Sequence, residues 1–188
     1  TVDKLRLENQ LRRAIDRDEL LLHYQPKVYA VSRRMAGVEA LIRWRHPDLG
    51  LVSPAEFIPL AEETGLILWL GRWVLREACG QMALWKAQFQ SSAPEIISVN
   101  LSARQFGQPE LVSQLAQVLE ETGLEARQLK LEMTESLVMQ NVETASAMLK
   151  QMKALGVQLG IDEFGTGYFS LSYLSRFPID TLKVDGSF

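Results

Sequence analysis

The sequence predicts an α/β protein of the TIM-like (β/α)8-barrel class, incomplete, with about six of the eight strands present. Three observations lead there. Short apolar or β-branched runs alternate with helical patterns, which implies parallel strands with helices outside. No glycine-rich phosphate fingerprint follows the first strand, which weakens the other parallel option, an open doubly wound sheet. Polar residues recur at the ends of successive strand candidates, at Asn100, Glu132, Asp162 and Lys183, separated by ~20–30 residues, about one strand–helix unit. A complete barrel takes about 250 residues. This chain has 188, so the expectation is a barrel cut short.

The strand candidates are residues 23–28, 38–44, 96–102, 129–135, 158–164 and 181–185. Helix punctuation fills most of the intervals. Ser53-Pro54-Ala55-Glu56 is a capping box with proline at the first helical position, and Gly65 is its stop. Pro109 opens a stretch with Leu111, Leu115, Val118 and Leu119 on one face, closed by Gly123. Asn141 caps a helix whose Met148, Met152 and Leu155 form a buried stripe ended by Gly156. Residues 5–17 have helical character and read as a connector or a dimer contact. The expected division is a connector over residues 1–10 and one domain over residues 11–188.

A hydrophobic fraction of 47% supports one domain with a real core. The net charge of −3 argues against binding a nucleic-acid polymer, which favours a basic face. A single cysteine, Cys79, forms no internal disulfide and fits a reducing compartment. No apolar run approaches the roughly 20 residues that cross a bilayer, so no membrane contact is expected from this segment and a cytoplasmic location is. The chain begins at Thr1, which suggests that it is cut from a longer protein. His23 and His46 lack ligand spacing, and Trp44, Trp69, Trp73 and Trp85 read as packing.

Side chains alternate faces along a strand, so Glu39, Leu41 and Arg43 lie together, as do Ser98 with Asn100 and Glu132 with Thr134. Asp185 shares parity with Lys183, as a pair at the mouth or on the surface. If these faces point inward, the C-terminal mouth holds three carboxylates, a carboxamide, an arginine and a lysine. Desolvated carboxylates so gathered need compensation, either from structural ion pairs or from a cation. An all-oxygen donor set suits Mg²⁺, Mn²⁺ or Ca²⁺ rather than structural zinc. The adjacent acids Asp162 and Glu163 suit two ions, a layout used for phosphodiester hydrolysis.

The string "VEALIRWRHPDLGLVSPAEFIPLAEETG", residues 38–65, resembles the signature of the EAL domain family, named for the tripeptide Glu39-Ala40-Leu41. "LHYQPKV", "SVNLSARQF", "LEMTES", "IDEFGTGYFSLSYL" and "LKVDGSF" follow the family's order and spacing, so the resemblance runs from about Leu11 to Phe188. It implies a TIM-like barrel that hydrolyses cyclic di-GMP to linear pGpG with Mg²⁺ or Mn²⁺ in a two-ion site, as part of bacterial second-messenger signalling. Position by position it implies metal ligands at Glu39, Asn100, Glu132 and Asp162, with Glu163 for the second ion. Lys183 matches the lysine that holds the hydrolytic water and a phosphate oxygen. Arg43 matches a phosphate-contacting arginine, with Gln25, Leu41 and Asp185 as further substrate contacts. Glu135 matches a glutamate that steadies the following loop, which Gly165 and Gly167 allow to move. The resemblance also implies a homodimer as one arrangement, and sensory or GGDEF-type domains elsewhere in the parent protein.

Three departures stand out. Glu163 occupies the place of an aspartate, Phe169 that of a small serine, and the family's later glutamate and glutamine motifs have no counterpart before Phe188. The resulting expectation is a parent protein built as a phosphodiesterase, with this stretch alone inactive. A silent module that binds cyclic di-GMP without cutting it is the alternative, although Glu39, Asn100, Glu132, Asp162 and Lys183 are all present. A Schiff-base role for Lys183 rests on fold analogy alone.

Overall fold

Helix α1 (Val2–Ala14) leads into β1 (Leu20–Val28), and the chain turns through residues 29–34 and returns as β2 (Met35–His46). The computed structural model of the protein describes residues 2–14, 16–165 and 176–186. Tyr29 N donates to Arg34 O and Arg33 N to Tyr29 O, both at 2.9 Å, closing the turn. Next come β3 (Gly50–Val52), α2 (Pro54–Thr64), α3 (Ile67–Phe89), β4 (Ile96–Asn100), α4 (Ala103–Phe106) and α5 (Leu111–Thr122). The described elements end with β5 (Leu129–Thr134), α6 (Glu135–Met139), α7 (Val142–Ala154), β6 (Gln158–Phe164) and β7 (Thr181–Val184).

One seven-stranded sheet runs in the order β1-β2-β4-β5-β6-β7, with β3 pairing beside β2. From β2 onward through β4, β5, β6 and β7 the neighbours are parallel, as a partial TIM-like barrel requires. Two features differ from the sequence expectation. β1 is antiparallel to β2, because the short turn between them leaves no room for a crossover of a dozen or more residues. The added strand β3 is too short to stand out as an apolar run, and it pairs Val52 with Trp44 and Gly50 with His46.

Alternate residues of the parallel strands pack outward against the helices. Ile97, Val99, Leu131, Met133, Leu159 and Ile161 meet Leu75 and Met82 of α3, Leu115 of α5 and Leu149 and Met152 of α7 in one buried cluster. Each such aliphatic side chain contributes about 1.5–3 kcal/mol when fully buried. A second cluster joins Leu11 and Ala14 of α1 to Leu20, Trp44 and Phe57. Trp44 is fully buried there, edge-on to Phe57, and its indole Nε1 donates to Glu19 at 3.1 Å. His46 is also buried, with Nδ1 accepting from the backbone N–H groups of Asp48 and Leu49.

The helix boundaries follow local chemistry. Ser53 caps α2 by accepting from Ala55 N, Pro54 takes the first helical position, and Gly65 ends the helix at φ 81°. Asn141 caps α7 by accepting from Thr144 N at 3.0 Å. Both halves of a capping box form at Ser102 and Gln105, ahead of α4. Among the described residues no helix is long and apolar enough to cross a membrane.

Cys79 lies on the buried face of α3, where desolvation pushes its thiol up to about 12. Iodoacetamide at pH 8 is expected to label Cys79 only as the protein unfolds. Equal labelling rates in native and denatured samples would remove Cys79 from the core.

Candidate metal centre

The face of the sheet turned away from the helices is polar. Parallel pairing sets Glu39 beside Ser98, Asn100 beside Glu132, Glu132 beside Gly160, and Thr134 beside Asp162. This stepped register brings three carboxylates together from three strands. Oxygens of Glu39, Glu132 and Asp162 lie within 4.8 Å of one another. The space they occupy is kept open by Gly160, where a Cβ would stand 3.4 Å from Glu132 Cγ and 3.0 Å from Thr181 Oγ1.

Asn100 Nδ2 donates to Glu39 Oε1 at 2.9 Å. Lys183, on β7, reaches across and places Nζ 2.7 Å from Asp162 Oδ2, 3.2 Å from Glu39 Oε2 and 3.5 Å from Glu132 Oε2. Burial raises the pKa of the Glu39 carboxyl, but the Asn100 hydrogen bond and the ammoniums of Lys27 and Lys183 outweigh it and hold the group below its ordinary range. Burial likewise works against the Lys183 ammonium. The hydrogen bond to Asp162 and the charges of Glu132 and Glu39 prevail, and the lysine stays charged well above neutral pH.

The other residues singled out from the sequence have separate surroundings. Glu135 is buried at the start of α6, and its Oε2 accepts from Gly165 N at 2.9 Å. Glu163 is exposed and stands outside the three-carboxylate group; its backbone adopts φ 55°, and its N–H donates to Asp162 Oδ1 at 2.7 Å. Arg43 Nη1 donates to Ile42 O at 2.8 Å, and both Leu41 and Arg43 line a cavity of about 400 Å³ that also touches Asn100 and Thr134. Gln25 pairs opposite Glu39 across the β1–β2 hairpin, and Asp185 follows β7 with its N–H on Phe164 O at 3.2 Å. Gly167 and Phe169 lie outside the described residues.

Sequence reasoning missed Lys27. Its Nζ hydrogen-bonds Glu132 Oε1, lies 3.2 Å from Glu39 Oε2 and donates to Ser98 Oγ at 3.1 Å. Alternation along "HYQPKV" puts Lys27 on the same face as Gln25, and that parity was the available signal.

These residues suit a hard divalent cation. Every donor is oxygen, supplied by three carboxylates and the Asn100 amide. Glu132 Oε2 is buried and takes part in no hydrogen bond among the described residues, although the Lys183 ammonium stands 3.5 Å away, so this anionic oxygen is compensated by charge but not by a hydrogen bond. The arrangement therefore has the charge, the donor type and an unsatisfied oxygen to hold a metal ion.

Residues 8–188 match the model of the EAL domain family. The chain is 49% identical over 186 residues to the bifunctional diguanylate cyclase/cyclic di-GMP phosphodiesterase MucR of Pseudomonas aeruginosa, covering 99% of this chain and 27% of that protein. It is 42% identical over 182 residues to the cyclic di-GMP phosphodiesterase PdeR of Escherichia coli, covering 97% of this chain and 27% of that protein. It thus spans about a quarter of the length of these curated relatives. A solved structure of the P. aeruginosa MucR phosphodiesterase in complex with c-di-GMP superposes with a TM-score of 0.92 at 49% identity, covering 96% of this chain and 72% of that one.

The hydrogen bond from Gly165 to the buried Glu135 carboxylate ties the end of β6 to α6. In Glu135→Ala, amide exchange at Gly165 is expected to speed up by about tenfold or more, since a charge-assisted bond is lost. Unchanged protection at Gly165 would dissociate Glu135 from that strand end.

Proposed function

The chain belongs to the EAL domain family, and on that premise we propose that it hydrolyses cyclic di-GMP to linear pGpG, with Mg²⁺ or Mn²⁺ held by Glu39, Asn100, Glu132 and Asp162. The observation that carries this reading is the convergence of three carboxylates from adjacent parallel strands, with the Lys183 ammonium among them. Glu163 is assigned to a second ion, next to Asp162 in the chain. When bound, such ions supply Lewis-acid polarisation of the phosphodiester and a water acidic enough to attack it.

The chain's own residues then orient the substrate and balance its charge. Lys183 holds its proton at neutral pH and donates to a phosphoryl oxygen as negative charge builds there. Arg43, on the cavity wall, offers a planar cation to the second phosphate of the cyclic dinucleotide. Leu41, Ile58, Leu70 and Leu137 give that cavity apolar walls of a size that takes a nucleobase, and Glu62 and Gln105 supply polar edges. Asn100 fixes the Glu39 carboxylate through its amide, so that ligand is oriented before an ion arrives. Glu135 holds Gly165 and, through it, the strand end that carries Asp162. Cytoplasmic residence, where such a dinucleotide is made, fits this assignment.

The test is conversion of cyclic di-GMP by the full-length protein with Mn²⁺, followed by chromatography of pGpG. Glu39→Gln is expected to lower turnover by about 100-fold or more, because it removes a ligand charge. Turnover that survives EDTA, or that Glu39→Gln leaves intact, overturns the reading. Nucleotide binding without turnover makes the domain a receptor. In the same assay Glu163→Asp is expected to match or exceed the wild type. A large loss there would mean the site is built around the longer side chain.

A further inference from the structure

Two ammoniums sit in the acidic centre, and the proposed chemistry uses only one of them. Lys183 comes from β7, at the C-terminal side of the sheet, with its side chain 46% exposed. Lys27 comes from the antiparallel β1 and is less exposed, at 33%. Its partner across the hairpin is Gly37, two residues before Glu39, so its side chain rises into the centre from the N-terminal side of β2. There it meets the Glu132 carboxylate, Glu39 Oε2 and the buried Ser98 hydroxyl.

We propose that Lys27 is the built-in counter-cation of this centre, a positioning residue that holds Glu39 and Glu132 together when no metal is bound and thereby sets how tightly the centre takes a divalent ion. The inference rests on the metal reading given above. Three carboxylates facing two ammoniums leave a single excess negative charge, and Glu132 Oε2 is the oxygen left without a hydrogen bond. Removing Lys27 would leave three buried or half-buried anions facing one ammonium, a costly arrangement in a poorly solvated interior. With a divalent ion present the sign of its effect reverses. The fixed positive charge then repels the ion and competes for the same carboxylate oxygens. Lys27 therefore stabilises the empty centre and weakens the filled one, keeping the ion exchangeable.

This predicts opposite effects from one substitution. Lys27→Met and Lys27→Gln are expected to melt at lower temperature than the wild type in EDTA, yet to bind Mn²⁺ tighter by about tenfold or more in calorimetric titration with MnCl2 alone. Their gain in melting temperature on adding Mn²⁺ should exceed that of the wild type. Lys27→Arg, which keeps the charge, should resemble the wild type in both measurements. Lys27→Gln retains a donor for Ser98 and keeps the comparison open if Lys27→Met does not fold. Neutral variants that bind Mn²⁺ equally or more weakly, while the wild type binds it, would make Lys27 a structural residue and overturn the inference. Failure of the wild type itself to bind Mn²⁺ would overturn the metal reading, and the inference with it.

Discussion

Carboxylates packed on the inner face of a parallel sheet repel one another unless positive charge lies among them. Glu39, Glu132 and Asp162 are in that position, and the rest of the molecule is arranged around the consequence. Lys183 touches all three acids, and Lys27 touches two of them. The two lysines reach the group from opposite ends of the sheet order, one on β1 and the other on β7. Charge balance thus links the first strand to the last described strand, across residues far apart in the chain.

That polar interior is tolerable because the stabilising burial happens elsewhere. The outward residues of β4, β5 and β6 form the apolar cluster with α3, α5 and α7, and none of the three acids belongs to it. Alternation along each strand separates the two faces, one apolar and packed on the helices, the other carrying the acidic group. The parallel register then decides which polar residues meet. Shifting β5 by one residue against β4 would turn Glu132 outward into the helices and Leu131 inward, abolishing the centre and the core together. Fold and site are therefore constrained by the same pairing.

Much of this was legible from residue order. Strand parity put Glu39 with Arg43 and Glu132 with Thr134 on one face, and β6 begins and ends at the residues that the pattern marked. What escaped depends on geometry that a pattern does not carry. The place of Lys27 follows from the antiparallel turn of β1, which reverses the direction from which its side chain enters. β3 has only three residues, so its pairing to β2 is decided by the neighbouring strand rather than by its own composition. The reciprocal cap at Ser102 and Gln105 was overlooked because the motif runs straight out of a strand instead of preceding a long apolar helix. Glu163 shows the same limit: its adjacency to Asp162 is visible in the sequence, whereas the positive φ of its backbone is not.

The end of β6 concentrates this last effect. Glu163 holds φ 55°, and Gly165, two residues on, holds φ 98°. For glycine such angles cost little, whereas for glutamate they carry about 1–3 kcal/mol of strain that the surroundings must offset. Two contacts do so: Asp162 Oδ1 accepts the Glu163 N–H, and Glu135 accepts the Gly165 N–H. The first contact engages one carboxylate oxygen of Asp162 with the backbone, while the other faces Lys183. The backbone bend thus orients the Asp162 carboxylate of the acidic group. Aspartate and asparagine tolerate the left-handed region better than glutamate does. An aspartate at position 163 would relax the bend and shorten the reach of its carboxylate in one step. Strain at residue 163 and the aim of Asp162 are therefore coupled through the hydrogen bond that the Glu163 N–H donates to Asp162 Oδ1.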